Sequence, residues 1–582
     1  MEKVTIKING QEITVPKDYT VMRAAEELGI YIPRLCFLKD INETSACRLC
    51  VVDVKNMRGL KNSCTLAITD GMEVDTDSQD IHNAIVENLK LLASNHIFEC
   101  WTCEREHNCE LLELMRRFNV DNVYGESNFF HKKERLINDS SDSIVLDSGK
   151  CILCGRCVSA CDKHTGLGIL NFNERGNETY VGPALMHNME DSGCIYCGEC
   201  IHACPVAAIK EKSHIDQVLE AIKDTNKKVI IAPEPSVKVA LGEEFGTEIG
   251  ENVEGKMFKS FQEIGFDEVI GLNFAADITV VEESNQLINR IKNNTNLPLF
   301  SANEPAWVSY VEQYEPDFLQ NLSTTKSPQQ VAGALTKHYY AEKLGYNKED
   351  VVFVSIMPSI ASKHEAARKE NSYKGIQDVD YVLTTREYAR LLKRKGINFM
   401  KLEDAQPFGE LANLTKAATL IGTSNGIIEA ALRTASDLLQ EKQQPIEFKD
   451  IRGIKGAKEA TYTIAGTDIN VAIVNGTVNI KDFFVKIKKS KKQYHYVDFM
   501  ASEEGIINGG GQPIQSARIK DTVAIKQIRL DALNNISLNQ EDKSHMSESV
   551  KGLYTEYLGE PGSEYADKLL HTSYNRKDFF TK

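Results

Sequence analysis

The sequence predicts a multidomain α+β protein in which small cysteine-bearing domains precede a large two-lobed α/β domain. Three observations predict it. At 582 residues the chain exceeds the roughly 250 to 300 residues that a single core can serve. All 15 cysteines lie between Cys36 and Cys204, so the front third is chemically distinct from the rest. From about residue 213 onward the short apolar runs "KKVIIAP", "EVIGLNF", "LPLFSA", "DVVFVSIMP" and "VDYVLTT" alternate with amphipathic stretches, the pattern of partly parallel sheets covered by helices.

The chain starts with strands. Val4, Ile6 and Ile8, then Ile13 and Val15, alternate around Asn9-Gly10, a strong short-range hairpin signal. Thr20 caps an expected helix over "VMRAAEELG", and Gly29 stops it. A hairpin crossed by a helix makes a β-grasp unit. Within it Cys36, Cys47, Cys50 and Cys64 form a Cys-x10-Cys-x2-Cys-x13-Cys set, which suits a 2Fe-2S cluster. Four cysteines also bind zinc, but zinc sites usually come as two close pairs, and this set has one.

The next set is "NHIFECWTCEREHNC", with His96, Cys100, Cys103 and Cys109. By spacing alone a zinc ion and a histidine-ligated 4Fe-4S cluster fit it equally. His107 lies between two candidate ligands and reads as a surface residue. The clearest signal follows: "CILCGRCVSAC" and "CIYCGECIHACP" are both the bacterial ferredoxin run Cys-x2-Cys-x2-Cys-x3-Cys, the second followed by Pro205. In two-cluster ferredoxins the fourth cysteine of each run serves the other cluster. One 4Fe-4S cluster is therefore expected on Cys151, Cys154, Cys157 and Cys204, and the other on Cys194, Cys197, Cys200 and Cys161. These sets use every thiol in the chain, and four centres in series suit the passage of single electrons.

Bulk properties exclude other classes. Acidic residues number 83 against 68 basic, a net charge of −15, and no run of five Lys/Arg occurs, which argues against nucleic acid as a partner. The opening "MEKVTIKINGQEITV" lacks the apolar stretch of a signal peptide. Apolar runs such as "VIIAP" fall far short of the roughly 18 residues of a membrane helix, so the expected setting is the cytoplasm without membrane attachment.

The chain as a whole resembles the iron-only (FeFe) hydrogenases of the long form with accessory clusters. The order of the four ligand sets carries the resemblance, with "NLSTTKSPQQ", "IEAALRTA", "IRGIKG" and "NGGGQP". It implies a 4Fe-4S cluster on His96, Cys100, Cys103 and Cys109, oxygen sensitivity and an anaerobic host. It also implies a 2Fe-2S domain over 1–79, a His/Cys 4Fe-4S domain over 80–125, a two-cluster domain over 126–212 and a hydrogenase-like domain over 213–582.

That domain normally holds the H-cluster, a cubane joined through a thiolate to a two-iron subsite, on three signatures. Here the first, TSCCP-x-W, reads "SANEPAW", placing Asn303 at the proton-relay cysteine and Glu304 at a cubane ligand. The second, MPC-x-x-K, reads "MPSIAS", with Ser359 at the ligand and Ser362 at the lysine. In the third, MAC-x-x-GC-x-x-GGGQP, Ser502 and Ile506 stand at two ligands. A serine hydroxyl ionises only at high cost and isoleucine has no lone pair to give, so no H-cluster and no hydrogen turnover are expected.

A remodelled pocket is expected instead. Glu304, Asn303, Ser359 and Ser502 are its candidate catalytic residues, and Glu234, Ser236, His364 and Glu503 its candidate binding groups. Carboxylates near an imidazole suit a hard metal or acid–base chemistry. Three functions follow: an oxidoreductase passing electrons from ferredoxin or a flavoprotein to that pocket, an electron-transfer subunit docked on a partner redox enzyme, or a redox or ligand sensor.

Overall fold

The computed structural model describes residues 2–120, 135–406, 415–424, 426–439, 446–464, 466–490, 492–502, 505–538, 540 and 543–579. Strands Lys3–Ile8 and Gln11–Pro16 pair antiparallel. Asn9 and Gly10 join them with φ of 49° and 80°, the two positive values that a tight type I′ turn requires. Val4, Ile6 and Ile8 face inward onto helix Val21–Glu27, whose first turn Thr20 caps by accepting from Arg23 N–H. The five-stranded sheet runs in the order Gln11–Pro16, Lys3–Ile8, Glu73–Asp75, Val51–Val54, Lys61–Asn62, a β-grasp.

Helices Gln79–Ser94 and Glu110–Arg117 carry the next segment. The two ferredoxin runs then fold alike. Each loops through two residues of positive φ, Leu153 (55°) and Gly155 (79°) in one and Tyr196 (59°) and Gly198 (82°) in the other. Each then enters a helix, Arg156–Thr165 or Glu199–Ala203, and the two helices pack together.

The large domain has two sheets. One is wholly parallel, in the order Glu268–Val269, Lys228–Pro233, Val351–Met357, Tyr381–Thr384. The other is mixed, in the order Leu299–Phe300, Tyr496–Met500, Thr467–Asn475, Ala457–Ile464, Lys449–Asp450. The segment "EVIGLNF" departs from expectation. Only Glu268–Val269 is strand, and Gly271 opens the helix Leu272–Asn293. That helix joins both cores, Ile278 and Val281 packing with the first sheet and Leu287 with the second. Glu234, Ser359 and Glu304 all lie just past carboxyl ends of strands, where open α/β sheets form their crevices. Among the described residues no helix is long and apolar enough to cross a membrane.

Candidate functional site

The four thiols of the first set are 0 to 4 % exposed. Cys36 and Cys47 exchange backbone N–H···S contacts of 3.5 Å in both directions. Hydrogen bonding from its neighbour thiol pulls Cys47 down to about 6, and Cys50 does the same to Cys64, to about 7.

In the second set His96 sets its ring nitrogen Nδ1 2.9 Å from the Lys150 carbonyl. Nδ1 therefore carries the proton and Nε2 keeps its lone pair, the form in which imidazole binds a metal. Burial lowers the His96 pKa and so favours this neutral form. Cys103 lies close enough to both Cys100 and Cys109 to raise their pKa values through its charge, after burial itself. His107 is 69 % exposed at its side chain.

The ferredoxin runs are crossed. Cys151, Cys154, Cys157 and Cys204 line one internal cavity, while Cys161 sits with Cys194, Cys197 and Cys200. The backbone N–H groups of Leu153 and Tyr196 point at the sulfurs of Cys151 and Cys194, at 3.4 Å each. Burial, then mutual repulsion, pushes the Cys157 and Cys200 thiols far up, so ionising them would take a bound cationic centre. All 15 cysteines are free of disulfides.

Two side chains bind these sets into one block, and neither is visible in a ligand motif. Asn42 donates to the carbonyls of both Cys36 (2.8 Å) and Cys154 (3.1 Å). Arg156, 1 % exposed, forks onto Glu110 at 2.9 and 3.0 Å and also donates to the Phe37 carbonyl. At the far end Gly198 lies against Gly510, so closely that a Cβ on Gly198 would stand 2.7 Å from the Gly510 Cα. Gly511 N–H in turn bonds the Pro358 carbonyl. The last ferredoxin run thus abuts the back wall of the large domain's pocket.

That pocket is small, about 30 Å³, room for about two waters. Glu234, Asn303, Glu304 and Ser359 line it as expected, with Ser362, Ile506 and Glu365. Glu304 caps helix Pro305–Tyr314. Its carboxylate accepts from Ala306 N–H (3.3 Å), Trp307 N–H (2.8 Å) and, across the pocket wall, Ala501 N–H (3.1 Å). Burial raises its pKa against the pull of those three donors. Asn303 donates to Glu283 (3.3 Å) and Ser301 (3.0 Å). Ser236 does not line the pocket but donates to Glu234 through its hydroxyl and its N–H. Burial pushes Glu234 and Glu365 each up to about 7.

Two placements correct the sequence reading. Ser502 turns its hydroxyl back to the Gly505 carbonyl (2.9 Å) and lines a different cavity. His364 packs at a tilt of 34° against Tyr196 with ring centroids 4.5 Å apart, its Nδ1 3.6 Å from Asp142. The helix Ala361–Ala366 turns it away from the face that carries Ser362 and Glu365. Glu503 lies outside the described residues. Glu365 was missed, though its i, i+3 spacing from Ser362 was the available signal.

Buried thiol sets on a rigid frame, leading to a thiol-free pocket at the strand ends, define an iron-sulfur electron-transfer protein. Family models match along the chain: a 2Fe-2S iron-sulfur cluster binding domain at residues 1–79, an NADH-ubiquinone oxidoreductase-G iron-sulfur binding region at 87–123 and a 4Fe-4S dicluster domain at 150–208. Residues 227–510 match the C-terminal domain of the iron only hydrogenase large subunit, and 523–577 match the iron hydrogenase small subunit. Iron hydrogenase 1 of Clostridium pasteurianum is 38 % identical over 98 % of this chain and 100 % of its own length. NADP-reducing hydrogenase subunit HndD of Solidesulfovibrio fructosivorans is 37 % identical over 99 % and 100 %. A solved variant of apo FeFe-hydrogenase HydA1 from Chlamydomonas reinhardtii superposes with a TM-score of 0.57 at 30 % identity, covering 63 % of this chain and 99 % of that one. The chain belongs to the iron-only (FeFe) hydrogenase family.

Proposed function

We propose that this protein is an electron conduit of the hydrogenase family that does not turn over hydrogen. It carries one 2Fe-2S cluster on Cys36, Cys47, Cys50 and Cys64, and three 4Fe-4S clusters on the His96 set and the two crossed ferredoxin sets. Such clusters supply one-electron transfer. The chain's own part is to fix their spacing, through Asn42 and Arg156, and to exclude water from the sulfurs.

The observation that carries the reading is Glu304. At the position of a cubane ligand stands a carboxylate whose oxygens are committed to three backbone N–H groups. The pocket around it offers oxygen donors and thioether sulfur but no thiol, which does not fit an H-cluster. A volume of about 30 Å³ also favours the electron-transfer subunit over reduction of an organic substrate at this spot. Trp101, 92 % exposed between Cys100 and Cys103, supports exchange with a redox protein there, such as a ferredoxin, a flavoprotein or a partner enzyme, since exposed tryptophans are frequent anchors of interfaces.

A second reading keeps the pocket active. Glu234 and Glu365, both held near 7, face it and suit proton exchange with a molecule no larger than a few atoms. Rapid mixing of the anaerobic protein with reduced ferredoxin tests the first reading. The clusters should bleach without hydrogen appearing in the headspace; steady hydrogen evolution would end the proposal.

A further inference from the structure

Three of the four donor sets meet at one charged pair. Arg156 precedes Cys157 in the chain and Glu110 follows Cys109, and the guanidinium donates to the Glu110 carboxylate at 2.9 and 3.0 Å. The same side chain reaches the first set, its Nε 3.4 Å from the Cys36 carbonyl and its Nη2 3.1 Å from that of Phe37. Arg156 is 1 % exposed and the Glu110 side chain 12 %. A guanidinium keeps its charge at any working pH, and at this depth salt screens it little. Such a pair is a poor device for stability alone, since well-packed apolar side chains of similar volume commonly do as well.

The charge is felt on both sides. Burial pushes Cys154 up to about 12, and Arg156 pulls against it. Burial also opposes the guanidinium's own charge, but Glu110, Cys154 and Cys47 outweigh it and hold the Arg156 pKa above its ordinary value. Cys47 belongs to the first set and Cys154 to the first ferredoxin-type set. Glu110 in turn stands among Arg156, Arg105 and Lys520, whose charges lower its pKa against its burial, so three cations surround one carboxylate. The remaining set answers to other groups: after burial, Cys194, Cys197 and Cys200 feel Glu199, backbone N–H groups and neighbouring thiols. An iron-sulfur cluster gains one negative charge on reduction, and a positive charge close by lowers the energy of that form. A buried cation shared by two sets therefore favours the reduced state of both.

We propose that Arg156 sets reduction potentials: its charge raises those of the 2Fe-2S centre on Cys36, Cys47, Cys50 and Cys64 and of the 4Fe-4S centre on Cys151, Cys154, Cys157 and Cys204 together, and Glu110 limits the rise. An electron entering the front third is drawn toward these two centres more strongly than their ligands alone would draw it. The inference rests on the cluster assignment above and not on what the large domain does.

The test is a redox titration of the anaerobic, cluster-loaded full chain followed by electron paramagnetic resonance, in which the 2Fe-2S signal persists at temperatures where 4Fe-4S signals have broadened away. Arg156→Gln removes the charge and keeps an amide donor. It should lower the 2Fe-2S midpoint by about tenfold in the one-electron equilibrium, about 59 mV, lower that of one 4Fe-4S centre similarly and leave at least one other unmoved. Glu110→Gln should raise the same two midpoints, and Arg156→Lys should keep them near those of the unsubstituted chain. If Arg156→Gln reduces the iron content, Glu110→Gln and Arg156→Lys decide alone. Midpoints indifferent to Glu110→Gln, a lysine variant displaced as far as the glutamine one, or an equal shift of all four centres overturns the proposal, the last because it reports loosened packing rather than a local charge. Absence of a 2Fe-2S signal from the unsubstituted chain overturns the cluster assignment and this inference with it. Hydrogen evolution ends the conduit reading alone and leaves the potential shifts standing.

Discussion

Replacing Glu304 separates a positioning carboxylate from a catalytic one. Glu304→Ala removes the acceptor for Ala306 and Trp307 N–H at the start of a helix and for Ala501 N–H from the neighbouring strand end, at a site 3 % exposed. Loss of an N-cap costs about 1 to 2 kcal/mol, and a further N–H left buried and unpaired costs roughly 1 to 3 kcal/mol. Part is returned, because the carboxyl's own burial, which raises its pKa, vanishes with it. The net expectation is about 2 to 4 kcal/mol for Ala, and about 1 kcal/mol for Gln, whose amide oxygen still accepts. The assay is built in. Of the two tryptophans, Trp307 sits in that helix at 0 % exposure and Trp101 is 92 % exposed, so the denaturant-induced change in tryptophan emission reports this lobe. Glu304→Ala should lower the midpoint clearly and Glu304→Gln slightly, both leaving reduction of the clusters by ferredoxin intact. Unchanged stability of Glu304→Ala together with lost electron transfer would refute the capping role and restore a catalytic one.

Glu234, with a folded-state value of about 7 against 4.5 unfolded, holds its proton more tightly in the native state. Its contribution is therefore complete below pH 4.5 and lost as pH rises to 7, about 3 kcal/mol at roughly 1.4 kcal/mol per pH unit. Glu234→Gln should accordingly stabilise the protein at pH 8 and leave it unchanged near pH 4, as read by thermal denaturation; an equal gain at both values contradicts the burial assigned to it. The crossed ferredoxin sets predict that Cys161→Ser with Cys194→Ser removes about four iron atoms, while Cys161→Ser with Cys151→Ser removes about eight; iron analysis showing the reverse would uncross them. Trp101→Ala should slow reduction by ferredoxin about tenfold without altering reduction by dithionite, a difference that stopped-flow absorbance measures and that vanishes if docking lies elsewhere.

Local chemistry made the front third legible. Asn9-Gly10 forces its turn through two positive φ values, and the cysteine runs carry their own spacing, so the strands and the four donor sets could be read directly. The frame holding them could not. Asn42 and Arg156 act across 112 and 119 residues of chain, and nothing nearby marks them. In the large domain Leu272–Asn293 escaped because Asp277, Glu282 and Glu283 are buried along with its apolar residues, which erases the 3.6-residue polarity that identifies a helix. At the pocket, the signatures located Asn303, Glu304 and Ser359 on the wall, and Glu234, outside them, lines it too. They could not reveal that Ser502 turns to Gly505, that His364 packs against Tyr196, or that Glu304 spends its oxygens on backbone.

The absence of thiol ligands behind residue 213 is tested most directly by iron analysis with infrared spectroscopy on one anaerobic preparation. The account predicts about 14 iron atoms per chain and no carbon monoxide or cyanide stretching bands; a content clearly above that, accompanied by such bands, would mean that a dinuclear iron site does assemble in the pocket and that hydrogen chemistry is retained.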